Sequence, residues 1–186
     1  MPEPDEWLMH QVALGSTAHL DTLLRRHAQA ILTFATRLLG NTHRAEEALQ
    51  ETFVSVWFHR HTYKYPRYFR PWLFRIAHNK CRGLMRPHDF LGAELPPDAD
   101  PPDSVRSSPA FSGPVDVAIA AETSTIVQNA LARLPAQQRA VLVMRLWNAM
   151  TYTEIAESLD LAEPTTRSTM HSALASLRRY LEPRLR

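Results

Sequence analysis

Aromatic and basic side chains alternate along one segment of the chain, and together these types suit the binding of single-stranded nucleic acid. Aromatic faces stack on unpaired bases, while cations hold the phosphate backbone. We expect the loop tyrosines to be exposed, whereas Trp72 either stacks on a base or packs in the core. The aromatic members are Tyr63, Tyr65, Tyr68, Phe69, Trp72 and Phe74, and the basic members are Lys64, Arg67, Arg70 and Arg75.

This segment lies within a longer basic stripe that runs from Trp57 to His88 without a single Asp or Glu. Each Lys or Arg near a phosphate releases condensed counterions, so the stripe favours binding to a polyanion. A solvated basic face is the alternative interpretation. The basic members are Arg60, Lys64, Arg67, Arg70, Arg75, Lys80, Arg82 and Arg86.

A second candidate site lies near the C-terminal end of the sequence. Thr151 and Glu154 have the spacing of a capping box, which predicts a helix over 152–159. A tight connection and a longer helix over about 163–181 would complete a helix-turn-helix, whose second helix enters the major groove of DNA with its opening turns. A helical hairpin that only packs is the alternative. The candidate DNA contacts are Thr165, Thr166, Arg167, Ser168 and His171, with Arg167 suited to a bidentate contact with guanine.

A third feature is an acidic face on a helix predicted over about 42–60. Its apolar residues form one stripe, and the polar residues lie largely on another face. Such a face is usually only solvated, but this one directly precedes the aromatic-basic segment. The polar residues are Glu46, Glu47, Gln50 and Glu51.

Helices must position all three features, because glycine is scarce and no stretch alternates apolar and polar residues for long. Residues 89–118 are rich in Pro, which stops helices, and in Asp, whose like charges repel one another. We therefore predict an all-α protein with two small helical domains, 1–88 and 119–186, joined by this acidic linker. The predicted helices span about 20–39, 42–60, 69–86, 117–133, 136–147, 152–159 and 163–181.

Several classes of protein are disfavoured by the sequence. Cys81 is the only cysteine, which excludes an internal disulfide and a thiolate zinc cluster within the chain. The pairs His59/His61 and His78/Cys81 lack further ligands at a recognisable spacing, and no phosphate loop or nucleophile elbow occurs. No long apolar run and no secretory signal are evident. We expect a cytoplasmic protein without membrane insertion, metal, cofactor, catalytic residues or small-molecule substrate.

Taken in order, the motifs resemble the sigma-70 family of bacterial transcription initiation factors, and within it the extracytoplasmic-function (ECF) subfamily. AEEALQETFVSVW at 45–57 and FRPWLFRIAHN at 69–79 look like region 2. LPAQQR at 134–139 and TYTEIA at 151–156 look like region 4. The resemblance covers both predicted domains and implies a sigma region 2 helical bundle followed by a region 4 helix-turn-helix.

The resemblance also implies partners and residue roles. The partners would be core RNA polymerase, promoter DNA in duplex and single-stranded form, and an anti-sigma factor, while the linker would run through polymerase channels. Glu46, Glu47, Gln50 and Glu51 would dock on core polymerase, and Thr165, Thr166, Arg167, Ser168 and His171 would read the minus-35 element. Opening and capture of the minus-ten element would fall to Tyr63, Tyr65, Arg67, Tyr68, Phe69, Trp72, Arg75, Asn79 and Arg82.

The last helix departs from the family pattern. Where Gly-Thr-Val-Lys-Ser-Arg is common, this chain has Pro164-Thr165-Thr166-Arg167-Ser168-Thr169, and it has Ser172 and Leu174 where basic residues are frequent. Weaker or unusually specific minus-35 binding is therefore expected. Two alternatives remain open: a helix-turn-helix regulator that binds duplex DNA without polymerase, and an enzyme. The first leaves the acidic helix and the aromatic segment unexplained.

Overall fold

The computed structural model describes residues 3–85 and 125–182. Within these two stretches the regular elements are helical, which confirms the all-α prediction. The linker 89–118, the proposed domain boundaries and the basic residue Arg86 lie outside the described residues. The helices are α1 (Asp5–Ala13), α2 (Thr17–Leu39), α3 (Thr42–Phe58), α4 (Phe69–Leu84), α5 (125–132), α6 (Ala136–Leu146), α7 (Tyr152–Leu159) and α8 (Glu163–Leu181), with a 3-10 turn at Arg60–Thr62.

Local signals account for most helix ends. Gly40 ends α2 with a φ of 67°, a left-handed conformation that glycine adopts without steric cost. Asn41 begins α3, since its side chain accepts a hydrogen bond from the Arg44 N–H over 2.9 Å. The capping box at Thr151 and Glu154 is present as predicted. The predicted ends of α3 and α4 are each two residues too long.

Helix α1 was not predicted. It has nine residues and would be marginal alone, but it buries Leu8, Met9 and Val12 against the other helices. Asp5 anchors its first turn to α2, through His27 Nε2 at 2.7 Å and Arg26 Nη1 at 2.8 Å. The hydrogen bond with His27 is the main cause that holds the pKa of Asp5 below its ordinary value.

The first domain is a bundle in which α1 to α4 enclose an aromatic core. Phe34 of α2 and Phe74 of α4 are fully buried and meet edge-to-face with ring centroids 5.5 Å apart. In the second domain α6, α7 and α8 pack around residues such as Val141, Ile155 and Met170. The turn between α7 and α8 uses Asp160 at a φ of 58°, which completes the predicted helix-turn-helix.

The two domains pack against each other, a point that the sequence left open. Helix α2 ends beside α5 and α6, which supply donors to its last carbonyls. Arg139 Nη1 donates to the Leu38 carbonyl over 2.7 Å, and Gln128 Nε2 donates to that of Arg37 over 3.2 Å. These carbonyls have no partner within α2, so the second domain satisfies the C-terminal end of the longest helix of the first.

Candidate nucleic-acid and polymerase-binding surfaces

The acidic face of α3 is directed away from the core. Its buried residues, among them Ala48, Thr52 and Val56, lie on the opposite face. One link was not foreseen: Lys80 Nζ of α4 lies 3.0 Å from the Glu51 carboxylate. The exposed residues of this acidic face are Glu46, Glu47, Gln50 and Glu51.

The aromatic-basic segment divides into a buried and an exposed group. Tyr65 and Tyr68 are 53% and 71% exposed, as expected for residues that stack on bases. The prediction of exposure is wrong for Tyr63, whose ring meets Trp72 at 5.4 Å and whose hydroxyl donates to the Arg67 carbonyl. Phe69 is fully buried as well, so its ring supports the segment from the core. Trp72 is partly buried, between its two predicted roles.

Two residues of helix α1 contact this segment. The Glu6 carboxylate accepts a hydrogen bond from the Phe69 N–H over 3.2 Å, which caps the first turn of α4. His10 stacks on Tyr65 with ring centroids 5.1 Å apart. These supporting residues were missed, although acidic Asp5 and Glu6 ahead of an apolar cluster form a recognisable helix start.

The other predicted minus-ten contacts also fall into two groups, one open to solvent and one in contact with the second domain. Asn79 and Arg82, in the second half of α4, are exposed to solvent. Arg67 and Arg75 instead reach α7: Arg67 Nε lies 2.6 Å from a Glu157 carboxylate oxygen, and Arg75 Nη2 lies 2.5 Å from the Glu157 carbonyl oxygen. The predicted strand-binding set is therefore only partly open in this arrangement of the domains.

In the helix-turn-helix, most of the predicted DNA contacts stand at the surface. Thr165, Arg167, Ser168 and His171 are exposed on the opening turns of α8. Thr166 is the correction, because it is fully buried and its hydroxyl donates to the Ala162 carbonyl over 3.2 Å. The spacing of positions 166, 170 and 173 matches the inward face of a helix and could have revealed this.

Comparison with known proteins agrees with this geometry. The family model described as Sigma-70 region 2 matches residues 23–89, and the model described as Sigma-70, region 4 matches residues 124–177. The ECF RNA polymerase sigma factor SigL of Mycobacterium tuberculosis is 30% identical over 171 residues, which cover 91% of this chain and 93% of SigL. The chain belongs to the ECF sigma factors of the sigma-70 family.

Other relatives extend the comparison. The ECF sigma factor SigW of Bacillus subtilis is 27% identical over 92% of this chain and 93% of its own length. SigE of Mycolicibacterium smegmatis is 33% identical over 87% of this chain, although the matched part spans only 61% of SigE. A solved structure of CnrH in complex with the cytosolic domain of CnrY has a TM-score of 0.72, with 24% identity over 97% of this chain and 99% of that chain.

The surfaces of this sigma factor fall within the matched regions. Region 2 includes the acidic face of α3 and the aromatic-basic segment, whereas α1 precedes it. Region 4 includes the helix-turn-helix. Thus α1, which caps α4 through Glu6, lies on the N-terminal side of the residues that the region 2 model matches.

Burial shifts the pKa values of two further titratable groups of region 2. Burial lowers the pKa of His78 to about 4, with a smaller contribution from Arg82, and burial raises the pKa of the Cys81 thiol to about 12. His59 Nδ1 is bonded to the Ser55 carbonyl. Among residues 3–85 and 125–182, no group of three or more His, Cys, Asp or Glu side chains is arranged to hold a metal ion. No helix in the same ranges is long and apolar enough to cross a membrane.

Proposed function

We propose that this ECF sigma factor binds core RNA polymerase through the acidic face of α3 and directs it to promoters. The observation that carries the proposal is the presence of both family regions, in order, on one chain that covers 93% of the SigL relative. An exposed acidic patch beside exposed aromatic and basic side chains fits this role. Core polymerase would bind Glu46, Glu47, Gln50 and Glu51.

Promoter opening would fall to the exposed part of the aromatic-basic segment and to the second half of α4. Tyr65 and Tyr68 offer ring faces for unpaired bases, and Arg82 offers a cation for the backbone. Asn79, which is exposed on the same half of α4, would make a polar contact with a captured base. Arg67 and Arg75 would join this surface once the domains separate. Tyr63, Phe69 and Trp72 would act mainly by holding the segment in shape.

The minus-35 element would be read by α8. Thr165, Arg167, Ser168 and His171 lie on its opening turns, where this motif meets base edges in the major groove. The less basic helix implies fewer phosphate contacts, and hence a smaller dependence of minus-35 binding on salt.

An anti-sigma factor is the proposed regulator. One similar solved structure is CnrH in complex with the cytosolic domain of CnrY, and a second is the sigma factor RpoE in complex with the anti-sigma factor NepR from Bartonella quintana. The second has a TM-score of 0.65 and 23% identity. We place the protein in the cytoplasm, where core polymerase acts, and assign it no catalytic activity of its own.

Run-off transcription tests the proposal. Core polymerase with this protein, on genomic fragments, should initiate at discrete start sites that core polymerase alone does not use. A helix-turn-helix regulator that acts without polymerase docking is the alternative. It predicts tight binding of promoter duplex by the free protein and no new start sites, and that pair of results would overturn the proposal.

A further inference from the structure

Arg167, which is exposed on α8, is held by two neighbouring side chains in the absence of DNA. Arg167 Nε and Nη2 both donate to Glu163 Oε1, over 3.1 and 2.6 Å. The guanidinium carbon of Arg167 lies over the ring of Tyr152, 4.5 Å from its centroid. One edge and one face of the guanidinium are therefore occupied by neighbouring side chains.

Glu163 and Tyr152, which hold Arg167, make further contacts of their own. Glu163 Oε2 accepts a hydrogen bond from Thr153 Oγ1 over 2.7 Å, which ties α8 to α7. Hydrogen bonds from Thr153 and Arg167 keep the pKa of Glu163 below its ordinary value, so the carboxylate is charged at neutral pH. The ring of Tyr152 also lies 5.0 Å from the guanidinium of Arg145, which is anchored to the Met150 carbonyl at 2.8 Å.

The edge of Arg167 that remains open can pair with guanine. A guanidinium presents its N–H donors as a rigid fork, and Glu163 engages the edge formed by Nε and Nη2. The outer edge, formed by Nη1 and Nη2, has no partner among these contacts, and 60% of the side chain is exposed. Two parallel donors of this kind match O6 and N7 of guanine in the major groove.

We propose that Tyr152 and Glu163 are positioning residues that set the outer edge of Arg167 for a guanine in the minus-35 element. The proposal rests on the proposed role of α8 as the reader of that element. An isolated exposed ion pair at this spacing is weak. Here the ring of Tyr152 and the Glu163 carboxylate, which Thr153 anchors, act on the same guanidinium, so less side-chain freedom is lost when DNA binds.

The carboxylate also affects what Arg167 prefers to bind. A free arginine on an exposed helix is attracted to any phosphate, and such contacts carry no sequence information. Glu163 cancels much of that attraction while leaving the base-reading edge open. The pair of Arg167 and Glu163 therefore lowers general affinity for DNA and raises discrimination between bases. This fits a recognition helix with few other cations.

The test measures discrimination by the complete holoenzyme, formed from core polymerase and the full chain. Its probes are fragments of a promoter mapped by run-off transcription, in which each base pair of the minus-35 element is replaced in turn. Arg167→Ala should lower discrimination at one G·C pair about tenfold. Tyr152→Leu should lower it about threefold at the same pair, and Tyr152→Phe, which keeps the ring, should retain it.

A double variant separates positioning from an independent contribution. If Tyr152 acts through Arg167, the Tyr152→Leu/Arg167→Ala protein should discriminate no worse than Arg167→Ala alone. Tyr180→Leu is the matched control, because Arg133 lies over that ring at the same 4.5 Å but at the far end of α8. It should leave discrimination unchanged.

Glu163→Gln provides a second route if Tyr152→Leu fails to fold in a thermal unfolding scan. It should bind every fragment more tightly and yet discriminate less at the pair read by Arg167. The positioning role is overturned if Glu163→Gln or a folded Tyr152→Leu protein leaves discrimination intact, or if Tyr152→Leu and Arg167→Ala add fully. Unchanged discrimination in Arg167→Ala would instead contradict the reading role of Arg167, and failure to form holoenzyme would contradict the proposed function.

Discussion

Arg67 and Glu157 form an ion pair across the two domains, with Arg67 Nε 2.6 Å from the carboxylate oxygen. Arg75 reinforces it through the Glu157 carbonyl and through Asp160, whose carboxylate lies 3.2 Å away. Arg70 of the same segment donates to the Asn148 carbonyl. The second domain thus occupies cations that we assign to the promoter strand. We expect strand capture by Arg67 and Arg75 to be strongest when the domains separate, because their donors are then released from α7.

Charge reversal at Glu157 should therefore loosen the closed form. In Glu157→Arg the new cation faces Arg67 and Arg75, so attraction is replaced by repulsion, a change worth about 1 kcal/mol for a partly exposed pair. The free protein should bind a single-stranded oligonucleotide severalfold more tightly, and its radius of gyration in small-angle X-ray scattering should increase.

Glu182→Arg is the matched control for Glu157→Arg. It makes the same charge change at the exposed end of α8, away from the domain interface. If both variants bind the oligonucleotide equally well, the gain is a general effect of net charge, and the masking of Arg67 and Arg75 is contradicted.

Replacement of Gln50 and Glu51 should disrupt docking on core polymerase. The double variant Gln50→Ala/Glu51→Arg removes the centre of the acidic face and places a cation there. Affinity for core polymerase should fall at least about tenfold, as expected for central interface residues. Co-purification with core polymerase and a titration of holoenzyme formation would measure it, and circular dichroism would verify the fold.

Lys80→Ala is the control that the structure provides for this experiment. It breaks the 3.0 Å ion pair with Glu51 but leaves the acidic face itself intact. We expect normal core binding from Lys80→Ala. Equal losses in the two proteins would mean that the ion pair, and not the docking face, is responsible, whereas normal binding by the double variant would contradict the docking assignment.

The parts of the fold that depend on neighbouring residues could be predicted from the sequence. Gly40 ends α2, and Thr151 with Glu154 starts α7, because these signals act within one helical turn. The amphipathic pattern of α3 likewise predicted which face would be exposed. Here the local preferences and the final fold agree.

The errors arise where distant residues decide the outcome. Tyr63 is buried because the rings of Trp72 and Phe69 pack against it. A tyrosine at this place in the sequence could equally pack in the core or stack on a base. From the sequence alone, Arg75 is predicted to be a free cation. In the fold it binds α7, which lies more than 80 residues away in the chain. Asp5 and Glu6 could have marked the start of helix α1, but the helix is too short to be stable alone and depends on contacts such as that of Asp5 with His27. Such pairings are chosen by tertiary packing, which no local pattern encodes.

Arg139 should contribute more to the stability of the fold than a neutral donor at the same end of α2. Its Nη1 donates to the Leu38 carbonyl at the end of α2, and its Nη2 donates to the carbonyls of Ala132 and Leu134, both at 3.1 Å. Arg139→Ala leaves these acceptors without the cation and creates a cavity, at a cost of about 2 to 4 kcal/mol in the free energy of unfolding.

Gln128→Ala is the comparison for Arg139→Ala, because it removes only one neutral hydrogen bond to the same end of α2. It should cost about 1 kcal/mol or less. Urea unfolding followed by circular dichroism measures both values. Similar losses in the two variants would show that the buried cation has no special weight at the interface.

His78 should make the fold sensitive to mild acid. Burial lowers the pKa of His78 to about 4 from its ordinary value of 6.5. Between these values the unfolded chain binds a proton that the folded chain does not, so stability falls as the pH falls. The loss from this group should reach about 2 kcal/mol at about pH 4.5. Asp5 contributes little there: the fold holds its pKa below the ordinary value, and at this pH an Asp carboxyl is largely charged in the unfolded chain as well.

Urea unfolding of the wild type and of His78→Gln, at about pH 7 and about pH 4.5, isolates this contribution. The variant should lose about 2 kcal/mol less than the wild type between the two pH values, because glutamine does not titrate. His43→Gln is the control, since His43 is exposed near the start of α3 and should leave the wild-type dependence in place. Equal pH dependence in wild type and His78→Gln would mean that His78 is protonated in the folded protein as readily as in the unfolded chain.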